Sequence, residues 1–183
     1  MLFQRLLLLP IQLTRMVQKK NIIKDLMLKY TGPFSIDDFY KELENWMREK
    51  GLSRELKRKL EDVSQKGKRL EYVAEMWKSI DDSRKHMVKI RALFDNVKEL
   101  KMKKNKRNIR INQADVLITI DGWLETDLAG RWTQFPFFAF LSRVFDKYIW
   151  KILETNDAPI EQDCYGLHKR LKAFFELNKM KLK

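Results

Sequence analysis

The sequence predicts an α+β protein: an N-terminal helix, an antiparallel β-meander of four to five strands, and two C-terminal helices packed on one sheet face. Three observations lead there. One stripe with both caps in place marks a helix over 36–50, period-two alternation runs through 70–124 with short breaks, and helical spacing returns after Pro136.

The first helix is legible from local signals alone. Ser35 is a good N-cap, and Asp37 and Asp38 put negative charge at the positive end of the helix dipole. Phe34 and Phe39 occupy the positions of a hydrophobic staple. Ile36, Phe39, Tyr40, Leu43, Trp46 and Met47 form the apolar stripe, and Gly51 follows Arg48 and Lys50 as a stop. Residues 52–66 fit either a helix or a strand and are assigned to the first strand of the meander.

Strand signals follow in series. Leu70, Tyr72, Ala74 and Met76 alternate with polar positions, and Asp81-Asp82-Ser83 breaks the run. His86, Val88, Ile90, Ala92 and Phe94 alternate next, and Asp95-Asn96 reads as a turn. Leu100 and Met102 lead to a turn around Asn105–Asn108, then Ile109 and Ile111 to a break at Asn112–Asp115. Val116, Ile118 and Ile120 complete the meander, and Gly122 inside that strand signals a bulge or a close backbone approach. Short connections imply antiparallel neighbours. A helix from Pro136 to about Leu153 presents Phe137, Leu141, Val144, Phe145, Tyr148 and Ile152; a last helix, 160–178, presents Ile160, Cys164, Leu167, Leu171, Phe174 and Phe175. Gly166 weakens it somewhat.

The chain has 183 residues, enough for one domain that buries a core without disulfides or metal, and the domain is taken as 25–183 with 1–24 as a tail. In that tail Leu6–Leu9 and Ile11–Leu13 are too short to span a bilayer, which takes roughly 20 residues. A short interfacial anchor, a disordered tail and a misread start upstream of Met16 all fit. The lone Cys164 cannot form an intramolecular bridge, so a reducing cytoplasm is the expected setting, with a peripheral position at a membrane as the alternative.

Charge is the most telling property. Lys and Arg number 38 against 25 Asp and Glu, a net of +13. All of it lies in residues 1–110, with 28 basic and 15 acidic side chains, whereas 111–183 carries 10 of each. Such asymmetry suggests an anionic partner, RNA or DNA before acidic lipid; a solvated lysine-rich surface is the ordinary reading. The densest stretch runs from Lys98 to Arg110, where Lys98, Lys101, Lys103, Lys104, Lys106, Arg107 and Arg110 stand against the single acid Glu99. A two-stranded ribbon of that charge can enter a groove or lie along phosphates. Its ordinary role is a hairpin guarded by lysines against edge aggregation. A second basic group, Arg54, Lys57, Arg58, Lys59, Lys66, Lys68 and Arg69, extends the footprint or simply charges an edge strand.

Catalytic motifs are wanting. Cys164 and His168 lie four apart on one helical face, which is half of a zinc site at most, so no metal or other cofactor is expected. Asp121, Glu125 and Asp127 share a face on a regular strand, but Arg131 and nearby lysines offer ordinary ion-pair partners. Phosphate-binding glycine loops and a Ser/His/Asp set are absent from the sequence.

The helix around Phe34–Trp46, the charged meander, the stretch Ile118-Thr119-Ile120-Asp121-Gly122-Trp123-Leu124-Glu125-Thr126-Asp127 and the run from Pro136-Phe137-Phe138 to Phe145-Asp146-Lys147-Tyr148-Ile149 together resemble a family of small, uncharacterised archaeal α+β proteins with no assigned activity. The likeness covers roughly residues 25–178. It implies the same fold class and a cytoplasmic setting, and it transfers no functional residue. The expectation is therefore a non-enzymatic protein whose basic meander contacts nucleic-acid phosphates. The alternative is a peripheral membrane or protein-interaction module that uses the N-terminal apolar segment and the aromatic helix 136–153. The sequence leaves the oligomeric state open.

Overall fold

A computed structural model describes residues 17–64, 67–82, 84–104, 107–127 and 157–181, with 101–104 and 107–110 given by their backbone. The elements are β1 (Val17–Phe34), α1 (Ile36–Lys50), β2 (Ser53–Ser64), β3 (Gly67–Ser79), β4 (Arg84–Lys104), β5 (Arg107–Asp127) and α2 (Asp157–Lys181). The five strands form one sheet in the order β1-β5-β4-β3-β2, antiparallel throughout. The α+β class and the antiparallel sheet agree with expectation. The layout differs at the start, where a strand precedes α1. Residues 17–24, set apart above as tail, belong to β1 and pair with β5 from Val17↔Asp127 onward. The alternation of β1 is hidden because the strand is irregular between Asn21 and Ile23 and again between Ile23 and Leu26, where Asp25 takes a left-handed φ of 54°.

Two further breaks turn out to be continuous strand. Asp95-Asn96 is a bulge, with Asn96 at φ 55°, and β4 runs on to Lys104; Asn112–Asp115 lies inside a regular β5. The turn between β4 and β5 falls where Asn105–Asn108 suggests, and residues 52–66 hold a strand. The expected helix 136–153 lies outside the described residues.

One sheet face carries the core. Tyr72, Ala74 and Met76 of β3, Val88, Ile90 and Phe94 of β4, and Val116, Ile118 and Ile120 of β5 are buried there against the helices. α1 forms as its caps demand: Ser35 Oγ accepts from the Asp38 amide at 3.2 Å, and Gly51 closes the helix at φ 64° with its N–H on the Arg48 carbonyl. Phe34, Phe39, Phe94 and Phe175 meet at the centre, with Phe34 stacked on Phe94 at 5.7 Å and Phe39 edge-on to Phe94 at 5.4 Å. α2 buries Ile160, Cys164, Leu167, Leu171 and Phe175. It sits directly on β5 because Gly122 has no side chain: a Cβ there would lie 2.5 Å from Cys164 Sγ. Arg170 ties α2 to α1 through Glu42 and Glu49.

Candidate nucleic-acid interface

β4 and β5 outlast their neighbours. The last partner of β3 on β4 is at Lys68↔Val97, and the last partner of β1 on β5 is at Phe34↔Asn112. Beyond both, β4 and β5 continue to pair from Leu100↔Ile111 to Lys104↔Arg107. The result is a two-stranded ribbon reaching past the sheet by roughly 15 Å at the rise of an extended chain. Register sets position 101 opposite 110, 103 opposite 108 and 104 opposite 107. Paired positions share a face and successive ones alternate. Positions 101, 103 and 110 therefore lie on one face of the ribbon, and 104 and 107 on the other near its tip. Lys98, at the root, is exposed. Five of the seven predicted contact residues thus fall on the projecting ribbon, Lys98 stands at its root, and Lys106 lies outside the described residues.

The root is shaped by the bulge. Asn96 Nδ2 and Thr31 Oγ1 each donate to a different oxygen of Asp115 at 2.9 Å, and these hydrogen bonds hold the Asp115 carboxyl below its usual range. Thr31, Asn96, Lys98, Gln113, Ala114 and Asp115 line a cavity of about 250 Å³ there. The β2–β3 turn abuts the same place, since Gly67, at φ 135°, has the Asn96 backbone 3.4 Å from where its Cβ would be.

The second basic group behaves differently. Lys57 pairs with Glu55 at 2.6 Å and Glu75 at 3.4 Å, Arg58 with Glu71 at 3.4 Å, Lys68 with Glu61 at 2.6 Å and Arg69 with Asp95 at 3.3 Å. Lys59 rests over the Tyr40 ring at 5.0 Å. These cations are largely answered within the sheet, and Lys66 is outside the described residues.

Asp121 and Glu125 are also partnered, and the Asp127 side chain lies outside the described residues. Asp121 accepts from the Asp25 amide at 2.8 Å and from Arg91 at 3.0 Å, and Arg91 reaches Asp25 at 3.1 Å. Glu125 lies 3.6 Å from Lys19. This is an ion-pair network that pins the β1 irregularity. Cys164 is fully buried, and burial pushes its thiol up to about 12, far from a nucleophile. His168 is not joined to it in a site; its Nε2 lies 3.2 Å from the Met27 carbonyl. Among the described residues no group of three or more His, Cys, Asp or Glu is placed to hold a metal ion, and no helix is long and apolar enough to cross a membrane.

One polar node escapes the sequence reading. Asp163 on α2 is only 4% exposed and receives Lys50 Nζ at 2.8 Å and Lys78 Nζ at 3.4 Å. His86 Nε2 is 3.7 Å away, on a ring that is 1% exposed. Burial drives the His86 pKa down to about 4, so a neutral ring faces the carboxylate. The only trace in the sequence is that Asp163 sits three residues after Ile160, on the flank of the apolar stripe. Its partners come from α1, β3 and β4, so the node joins four elements. No family model matches the chain, and neither a curated protein nor a solved structure is detectably similar to it.

Proposed function

We propose that this protein is a non-enzymatic, cytoplasmic nucleic-acid-binding protein whose β4–β5 ribbon lies along phosphates. The observation that carries the reading is the projection of the ribbon past both flanking strands, together with the seven basic residues and one acid of residues 98–110. A two-stranded ribbon has the width to enter a major groove or follow a backbone. Positions 103, 104 and 107 stand near the tip and 110 lies opposite 101; Lys103, Lys104, Lys106, Arg107 and Arg110 are the principal contacts. Asn105 and Asn108 would add hydrogen bonds to sugar or base edges. The ion pairing of the second basic group supports restricting the contact to the ribbon.

The test is the salt dependence of binding to labelled duplex and single-stranded RNA and DNA, with anionic vesicles as competitor. Each phosphate contact steepens the log–log slope by about 0.7 to 0.9. Replacing the five tip residues together with Ala should flatten it by roughly 4 and weaken binding across sequences. An unchanged affinity, or complete transfer of the protein to vesicles, overturns the reading in favour of a membrane or protein partner.

A further inference from the structure

Among the described residues, β2 is an edge strand. It pairs with β3 on one side and ends the sheet on the other, where no described strand lies beside it. Residues 53–63 are all exposed, and among them Leu56, Leu60 and Val63 are large apolar side chains at 50%, 47% and 73% exposure. Free edges of this length normally carry lysines without a pattern that favours pairing. Here the charges are ordered. Lys57, Arg58 and Lys59 precede Leu60, and Glu61 and Asp62 follow it.

We infer that β2 pairs antiparallel with β2 of a second copy of this chain about a two-fold axis at Leu60, joining two sheets into one. An axis perpendicular to the sheet keeps each face on its own side, so facing partners must be an even number of residues apart or identical. Centred on Leu60, the register sets Leu60 against Leu60, Lys59 against Glu61 and Arg58 against Asp62, each twice by symmetry. The irregularity of β2 completes the match. The register with β3 skips from Leu56↔Ala74 to Arg58↔Val73, so Lys57 is an extra residue. Leu56 thereby comes opposite Val63 of the second copy, both on the face toward the helices. Shifting the axis by one residue instead sets Lys59 on Lys59 or Glu61 on Glu61. Only the Leu60 centre gives opposite charges inside and apolar contacts at the middle and both ends. The present partners of these charges are Glu71 for Arg58 at 3.4 Å, Lys68 for Glu61 at 2.6 Å and the Tyr40 ring for Lys59 at 5.0 Å, on β3 and α1. The inference stands apart from the nucleic-acid reading, because the ribbon and β2 are different surfaces.

Sedimentation velocity over micromolar concentrations reads the assembly directly. The native chain should sediment as a dimer. Variant R58E/K59E carries only acids beside Leu60 and variant E61K/D62R only bases, so each alone should dissociate at least about tenfold more readily. Mixed in equal amounts, the two should form a heterodimer, because every cross-strand pair is again opposite in sign. Circular dichroism shows whether each variant is folded; if either is not, Leu60→Arg, which sets two like charges at the axis, takes its place. A monomeric native chain, variants that dimerise as well as the native chain, or a mixture that stays monomeric overturns the inference.

Discussion

The two halves of the β4–β5 hairpin are made alike and used differently. The near half, Arg84–Val97 with Asn112–Asp127, lies between β3 and β1 and under the helices, and it buries Val88, Ile90, Phe94, Val116, Ile118 and Ile120. The far half keeps the same alternation, with Leu100 opposite Ile111 and position 102 opposite 109. Yet past the bulge Leu100 and Ile111 fall on the face away from the helices, opposite to that of Ile90; Leu100 is 37% exposed and Ile111, at the root, 7%, whereas Ile90 is fully buried. Alternation therefore specifies a strand without specifying a core. What separates the halves is whether neighbouring strands and helices reach them, and in this chain β3 stops at Val97 and β1 at Asn112, opposite Glu99.

The sharpest way to break that comparison is to empty the near half. Phe94→Ala removes a ring packed against Phe34 and Phe39 and should cost about 3–5 kcal/mol in urea unfolding. A loss below about 1 kcal/mol would mean that the hairpin is not the core its burial indicates.

Acid probes the near half next. The His86 pKa is about 4 in the folded protein against 6.5 in the unfolded chain, so the unfolded state takes up a proton first. The neutral buried ring thus stabilises the fold fully above the unfolded value, and this contribution fades as pH falls from about 6.5 toward 4. The loss amounts to about 3 kcal/mol at most. His86→Leu should flatten the unfolding free energy across that interval; an undiminished pH dependence would assign it to other groups.

The smallest effect belongs to the far half. Lys101→Ala with Arg110→Ala should leave stability within about 0.5 kcal/mol, since both positions stand beyond the flanking strands. A larger loss would show that the ribbon is held by contacts of its own and is more than an arm.

The same contrast explains what the sequence discloses. α1 is legible to its caps because Ser35, the staple at Phe34 and Phe39, and Gly51 act within a few residues of where they sit. The stripe of α2 is legible for the same reason. Asn96 misleads because an Asn in a left-handed conformation serves a turn and a bulge equally, and only the pairing with β5 decides between them. β1 hides because its irregularities disturb its period, and its partner lies at the far end of the meander. Of the candidate site, the charge is plain in the sequence, while the feature that gives it a shape is not: where β1 and β3 stop depends on pairings far apart in the chain. The Asp163 node is hidden for a like reason, since no local pattern announces that Lys50, Lys78 and His86 converge on it.

The pairing of β1 with β5 also sets a timetable. Val17 meets Asp127 and Phe34 meets Asn112, so the first strand made must wait for the last. On a ribosome, β2, β3 and β4 can assemble by short hairpins while β1 has no strand to join, and loop closure across the intervening chain then limits completion of the sheet. During that wait β1 and the growing edge of the meander are each exposed to pairing with other chains. Permuting the chain so that β1 follows β5 would place the two paired strands next to each other in sequence and shorten that wait.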